Sequence, residues 1–169
     1  MSEPEFIVLR LLHIVAGSIW VGAAVFLAFI LEPTLERLGP GVKGPVMSAL
    51  SKKMGPMIGI LATLTIGAGI ALSFRLEATN RVEFDSAWGI AILLGFIVSV
   101  LAFGTGITTV ITANRMAKLG AQLKTAEGPP PPELLARMKV LGDRLRMAGR
   151  STAVLTIVGV GTMASARFV

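Results

Sequence analysis

The sequence predicts an all-α integral membrane protein, a four-helix bundle with helical extensions on the cytoplasmic side. The 169 residues are 53% hydrophobic, and their mean hydropathy of +0.76 is too high for an ordinary soluble domain. The apolar residues come in long blocks, and a membrane span needs roughly 20 predominantly apolar residues. These blocks show no strand alternation, and open sheet edges are not viable in lipid, so we expect helices.

Four blocks have the composition of membrane spans, within a single domain that covers residues 1–169. The predicted spans are about 6–31, 57–74, 87–113 and 151–166.

The segments between the spans have structure of their own. The first helix should begin near Pro4 or Glu5, since proline and acidic residues suit a first turn, and should continue to about Leu38. The glycine-rich stretch 39–44 predicts a turn, with Pro45 as the first residue of the next helix. Residues 114–150 should form a cytoplasmic helical hairpin.

Basic residues are concentrated on one side of the predicted bundle. Of the 16 Lys and Arg residues, 12 lie in the connections after the first and third spans, and four lie on the other side. Because basic loops stay in the cytoplasm, this bias predicts a multi-pass protein of a bacterial or archaeal inner membrane with both termini outside. The basic runs lack interleaved aromatic residues, so the net charge of +6 does not predict a nucleic-acid partner. Trp88 stands at the depth of an outer aromatic belt.

Small residues recur at helical spacing in three of the predicted helices. This spacing lets membrane helices approach closely, or leaves room for a flat cofactor between them. The stripes are Gly59, Thr63, Gly67 and Ala71 in the second helix, Gly104, Thr108 and Thr112 in the third, and Thr152, Thr156, Gly159 and Gly161 in the fourth.

The single histidine, His13, lies inside the first span. An ionisable side chain in hydrocarbon needs a partner and marks a functional site by default. Neutral imidazole is a common metal ligand, and the absence of cysteine excludes thiolate ligands, disulfides and iron–sulfur clusters. His13 is therefore the strongest metal or haem ligand in the chain, although a plain hydrogen bond to a neighbouring helix explains it equally well.

The neighbours of His13 on its helical face extend the haem hypothesis. Gly17 provides clearance beside the imidazole, and Trp20 provides a pocket wall. Arg10 lies one turn nearer the outer surface, where its guanidinium can pair with a haem propionate, or can reach to the membrane interface. Met163 stands at a comparable depth in the fourth helix and is a candidate second axial ligand. Methionine also fills gaps in packing, and a haem bound by His13 alone fits as well.

Methionines at the start of the second span offer a weaker alternative. Met54 and Met57 flank a Gly-Pro pair, and Met47 precedes them. Thioethers favour Cu(I), which makes copper transport a third functional hypothesis. The predicted spans carry no Asp or Glu, which argues against an ion-coupled transporter.

The segment Leu11–Phe26 resembles the first helix of the copper-resistance D (CopD) and HemJ-like group of small four-helix bacterial membrane proteins. In that group a histidine near the outer end of helix 1 is followed by a tryptophan and a glycine, matched here by His13, Trp20 and Gly22. The chain is most similar to the branch of single-bundle relatives without an assigned activity. The resemblance implies a b-type haem on His13. In HemJ-like proteins it also implies protoporphyrinogen oxidation with a helix lysine, and no lysine lies in a predicted span here.

The sequence thus leads to three functional expectations. The first is a haem b-binding inner-membrane protein that transfers electrons or carries out redox chemistry with a quinone or another membrane redox partner. The second is a cofactor-free accessory or structural subunit, in a homo-oligomer or a larger complex within the lipid bilayer. The third is copper transport.

Overall fold

The computed structural model describes residues 3–77, 86–125 and 131–168, and over these ranges every regular element is a helix. The elements in chain order are α1 (Glu3–Val25), a π-helical segment (Phe26–Leu31), α2 (Glu32–Arg37), α3 (Pro40–Glu77), α4 (Ala87–Thr125), α5 (Pro132–Ser165) and a short 3₁₀ helix (Ala166–Phe168). The tip of the predicted hairpin, 126–130, lies outside the described ranges.

The first three elements follow one another without a break, and the π-helical segment has a local cause. Pro33 has no N–H, and in a regular α-helix its ring would collide with the carbonyl of Phe29, four residues earlier. The wider π turn relieves this conflict, and the N–H of Glu32 bonds to the carbonyl of Leu27, five residues back. Single π turns of this kind are often found at functional sites.

The turn between α2 and α3 is shorter than the sequence predicts. The helical conformation resumes at Pro40 rather than at Pro45, so the expected six-residue turn 39–44 is wrong. Gly39 has a φ of 86°, a left-handed conformation that glycine adopts without strain. This one residue reverses the chain, and Pro40 then supplies the fixed φ that suits the first helical position.

The helices form two antiparallel pairs, α1 with α3 and α4 with α5, whose mutual contacts dominate the fold. Close approaches fix the register of the second pair at three levels. A Cβ at Gly95 would meet Met163, one at Gly159 would meet Ser99, and one at Gly142 would touch Met116. Since these contacts extend along both helices, α5 and the 3₁₀ helix accompany α4 over most of its length.

The buried core is made mostly of small side chains, with Trp20 and Leu35 as the large exceptions, and most other large apolar side chains are at least partly exposed. Alanine dominates the buried hydrophobic residues, which include Ala16, Ala24, Ala62, Ala102 and Ala153. Many leucine, isoleucine and valine side chains on each long helix are at least 38% exposed. A soluble protein does not expose apolar surface on this scale, whereas membrane helices pack through small residues and present large ones to lipid.

The small-residue stripes predicted in α3 and α4 are only partly used for packing. An added Cβ at Gly59, Gly67 or Gly104 would meet nothing within 4 Å, so the predicted α3 stripe and the start of the α4 stripe face away from the bundle. In α5, by contrast, Thr152, Thr156 and Gly159 are buried. The buried residues of α3 are Ala62, Thr65 and Ala68.

Three helical stretches are long and apolar enough to cross a membrane: Glu3–Arg37, Pro40–Arg75 and Ala87–Leu123. Three of the four predicted spans therefore have the required length and composition. The fourth, in α5, is not among them, because its apolar part follows Arg150 closely and is short.

Candidate functional site

His13 lies in the interface between α1 and α3. Its Nδ1 is 2.7 Å from the carbonyl oxygen of Thr65. A carbonyl only accepts, so Nδ1 carries the proton and the neutral imidazole has its lone pair on Nε2. A hydrogen bond to a neighbouring helix was one of the two explanations that the sequence allowed for His13, and the structure contains it, with a backbone carbonyl of α3 as the acceptor.

Glycine and threonine of α3 hold the imidazole closely. A Cβ at Gly69 would stand 2.9 Å from Cε1 of His13, and a Cβ at Gly17 would stand 3.1 Å from the side chain of Thr65. The hydroxyl of Thr65 donates to the carbonyl of Leu61 at 2.7 Å and does not compete for the imidazole. The clearance expected beside His13 at Gly17 is therefore filled by α3.

Arg10 lies one turn outward from His13 and is exposed. No hydrogen bond or ion pair joins its guanidinium to another residue in the described part of the chain. Its charge is thus available to an external anion near the N-terminal end of α1.

Trp20 occupies the centre of the bundle rather than the wall of an open pocket. Its side chain is 3% exposed and packs in a cluster with Ala62 of α3 and Ala102 of α4. Phe103 and Leu155 pack against the same cluster, so three neighbouring helices enclose the indole. The sequence placed Trp20 on the face of His13, and its packing role depends on helices that are distant in the chain.

Met163 lies in the other helix pair. Its Cγ would be 2.6 Å from a Cβ at Gly95 of α4, so the thioether packs into the α4–α5 interface, whereas the imidazole of His13 packs on α3. His13 and Met163 therefore pack in different helix interfaces and share no contact. They do lie at similar depths, because Trp20 and Ala102 share one cluster and each site is two turns outward from it.

No group of three or more His, Cys, Asp or Glu side chains that could hold a metal ion occurs among the described residues. A haem iron can be held by one histidine and does not require such a group. The methionines considered for copper lie on α3, where Met57 is 43% exposed and Met47 and Met54 are half-buried.

A charged cluster around Glu32, at the start of α2, was not predicted. Nζ of Lys43 lies 3.6 Å from Oε1 of Glu32, and Nε of Arg146 lies 3.5 Å from the same oxygen. The guanidinium of Arg146 also donates to Glu36, and the Glu32 side chain is only 12% exposed. The sequence does show an acidic residue, Glu32, directly after an apolar run. It gives no indication that Arg146, which is distant in the chain, would be its partner.

No protein-family model matches this chain, and no curated protein or solved structure matches it either. The resemblance of the first helix to the CopD and HemJ-like group therefore stays a prediction, and the function has to be argued from the residues themselves.

Proposed function

We propose that the protein is an inner-membrane haem b protein with His13 as the axial ligand, and that it transfers electrons to or from a quinone or another membrane redox partner. The observation that carries this proposal is the hydrogen bond from Nδ1 of His13 to the carbonyl of Thr65. Metal-ligating histidines almost always donate the other ring N–H to a carbonyl or carboxylate, which fixes the ring and raises its basicity. Nε2 would then be the nitrogen available to hold the haem iron.

The residues around His13 fit this role in part. Gly69 lets the imidazole lie against α3, and the exposed charge of Arg10 can pair with a propionate. Gly17 and Trp20 support the site indirectly, because they set the packing of α1 on α3 and on the bundle centre. Met163 as a second ligand would require a rearrangement of its contact with Gly95. The haem would supply one-electron chemistry, and the protein would supply the ligand and the local charge.

The bilayer orientation is part of the same proposal. The basic connections stay in the cytoplasm, and both termini face outward if α5 crosses together with α4. Support for the crossing of α5 comes from the register between Gly95 and Met163, which extends α5 almost to the outer end of α4.

The test is an absorption spectrum of protein expressed with ample haem supply and purified in detergent. We expect a Soret band that is lost in His13→Ala and in His13→Asn. The amide nitrogen of asparagine stands where Nδ1 of histidine stands, so it can still donate to the carbonyl of Thr65, but it does not ligate iron and therefore separates ligation from packing. Leu12→Ala, a change at an exposed neighbouring position, should leave the band in place. A wild-type protein without a Soret band would refute the proposal.

The second candidate is a cofactor-free subunit of a membrane complex. It is favoured by the close packing of His13 on Gly69 and by the burial of Trp20, since both side chains are already used to join helices. On this view, His13→Asn retains most of the stability and the wild-type protein has no haem spectrum. Copper transport, the third candidate, predicts copper in the purified protein that is lost in Met54→Leu/Met57→Leu.

A further inference from the structure

A recess between α4 and α5 combines positive charge with an apolar wall. Its volume is about 310 Å³, near the lower end of the range of about 300–1,000 Å³ found for small-molecule sites. The lining residues are Thr108, Ile111, Thr112 and Arg115 of α4 and Arg144, Met147 and Ala148 of α5. We call this feature the α4–α5 recess.

Helical spacing explains why these residues meet. The four positions on α4 and the three on α5 each follow a three-and-four rhythm, which places them on one stripe of each helix. The antiparallel register, in which Gly142 meets Met116, brings the two stripes face to face. The recess is thus built by two regular helices and not by a loop.

The charge of the recess is unbalanced. Arg115 and Arg144 are both exposed, and neither has an ion pair or hydrogen bond with another residue where the chain is described. None of the seven lining residues is acidic. Two guanidiniums without a protein counter-ion are well suited to a phosphate group, which they bind through charge-assisted hydrogen bonds.

The apolar part of the recess continues into the lipid-facing surface. Ile111 is 46% exposed and Met147 is 66% exposed. The hydroxyl of Thr112 donates to the carbonyl of Thr108 at 2.7 Å, so this buried threonine leaves no unsatisfied donor in the recess. A free phosphate ion makes no favourable contact with an apolar wall, whereas the acyl chain of a lipid is stabilised by burial against it.

The depth of the recess agrees with a lipid headgroup. At 1.5 Å per residue, Thr108 lies about 30 Å along α4 from Trp88, and Arg115 lies about 40 Å from it. The hydrocarbon layer of a bilayer is about 30 Å thick, and the headgroup regions extend the total to about 40–45 Å. With Trp88 at the outer interface, the recess covers the boundary between acyl chains and headgroups of the inner leaflet.

We propose that the α4–α5 recess binds one acidic phospholipid of the inner leaflet, with the phosphodiester between Arg115 and Arg144 and an acyl chain along Ile111 and Met147. Inner-leaflet anionic lipids are attracted to basic residues near the membrane surface. The recess adds a defined position to that general attraction. This proposal does not depend on haem binding.

The test compares lipids on the purified full-length protein. Native mass spectrometry in detergent would measure binding of phosphatidylglycerol and of phosphatidylcholine with the same acyl chains, and of inorganic phosphate. We expect phosphatidylglycerol to bind at least about tenfold more tightly than phosphatidylcholine, and phosphate not to compete at millimolar concentration. Equal binding of the two lipids, or displacement by phosphate alone, would overturn the proposal.

Two kinds of variant locate the site. Arg115→Gln/Arg144→Gln should weaken phosphatidylglycerol binding about ten- to thirty-fold, as expected for the loss of two charges at an anionic surface. Arg137→Gln/Lys139→Gln removes the same charge from exposed positions outside the recess and should change binding less than about threefold. Ala148→Leu fills the recess, keeps both arginines and should also weaken binding. Equal losses in the two double variants, or an unaffected Ala148→Leu, would mean that the attraction is diffuse.

Discussion

His13 and Gly69 pack so closely that each depends on the other. The imidazole is held by its hydrogen bond to the carbonyl of Thr65. It therefore cannot move away from a methyl group that is added at position 69 of α3. The approach of 2.9 Å between Cε1 and a Cβ at Gly69 is shorter than side chains tolerate. Glycine is therefore required at position 69 for steric reasons, and the cause lies in the partner helix.

The first prediction compares two glycines of α3. Gly69→Ala should destabilise the protein by about 1–3 kcal/mol, the usual cost of overpacking. Gly67→Ala is the control, because its Cβ would meet nothing within 4 Å. Alanine is the better helix former, so this control should be as stable as the wild type or slightly more stable. Thermal unfolding in detergent measures both, and equal stability of the two variants would contradict the packing described for His13.

Ion pairs join the start of α2 to α3 and to α5. Glu32 follows the π-helical segment and reaches both Lys43 and Arg146. Because the Glu32 side chain is 12% exposed, these pairs are screened less than surface pairs and contribute more. The π turn caused by Pro33 helps to determine where this carboxylate is placed.

The second prediction concerns Arg146. Arg146→Met keeps an apolar stem but leaves Glu32 with Lys43 alone. We expect a loss of about 1–3 kcal/mol, below the cost of breaking a fully buried pair. Arg137→Met, at an exposed position without a partner in the described ranges, should cost less than about 0.5 kcal/mol. Chemical unfolding of the two variants decides, and a cost for Arg146→Met no larger than for Arg137→Met would show that the cluster is not stabilising.

The number of membrane crossings of the whole molecule depends on whether α5 spans the bilayer. Three helical stretches have the length and composition of a membrane span. Helix α5 runs beside α4 but does not have that composition over a sufficient length. A helix whose buried side carries Thr152 and Thr156 has reduced hydropathy although those residues are enclosed by the bundle. Hydroxyls bonded to carbonyls of the preceding turn, as at Thr156 and Ala153, are compatible with lipid depth.

The third prediction uses the absence of cysteine from the chain. Single cysteines at Glu3 and Phe168, both exposed, report the two ends of the described structure. With four crossings, a membrane-impermeant maleimide should label both from outside in spheroplasts. Ser48→Cys, on the inner side, should react only after the membrane is permeabilised. If Glu3→Cys and Phe168→Cys react from opposite sides, α5 does not cross.

Particular residues show how far sequence reasoning extends. The helices, the apolar blocks, the start of α1 and the end of α2 follow from local composition and were predicted closely. The α3 stripe through Gly59 and Gly67 was read as a packing face, and it faces outward instead. Periodicity identifies residues that share a face, but it does not say which face meets a neighbour when all faces are apolar.

Local properties of the sequence are enough to predict that the chain is helical, that its helices have the length of membrane spans and that most basic residues lie in two connections. Hydropathy, helix propensity and charge are properties of each segment separately. Three features follow only from the packing of the helices: the hydrogen bond of His13 to Thr65, the enclosure of Trp20 by three neighbouring helices and the ion pair of Glu32 with Arg146. These contacts join residues distant in the chain, and they depend on the register of antiparallel helices. That register is set by the close approach of small residues across an interface, which no single segment specifies.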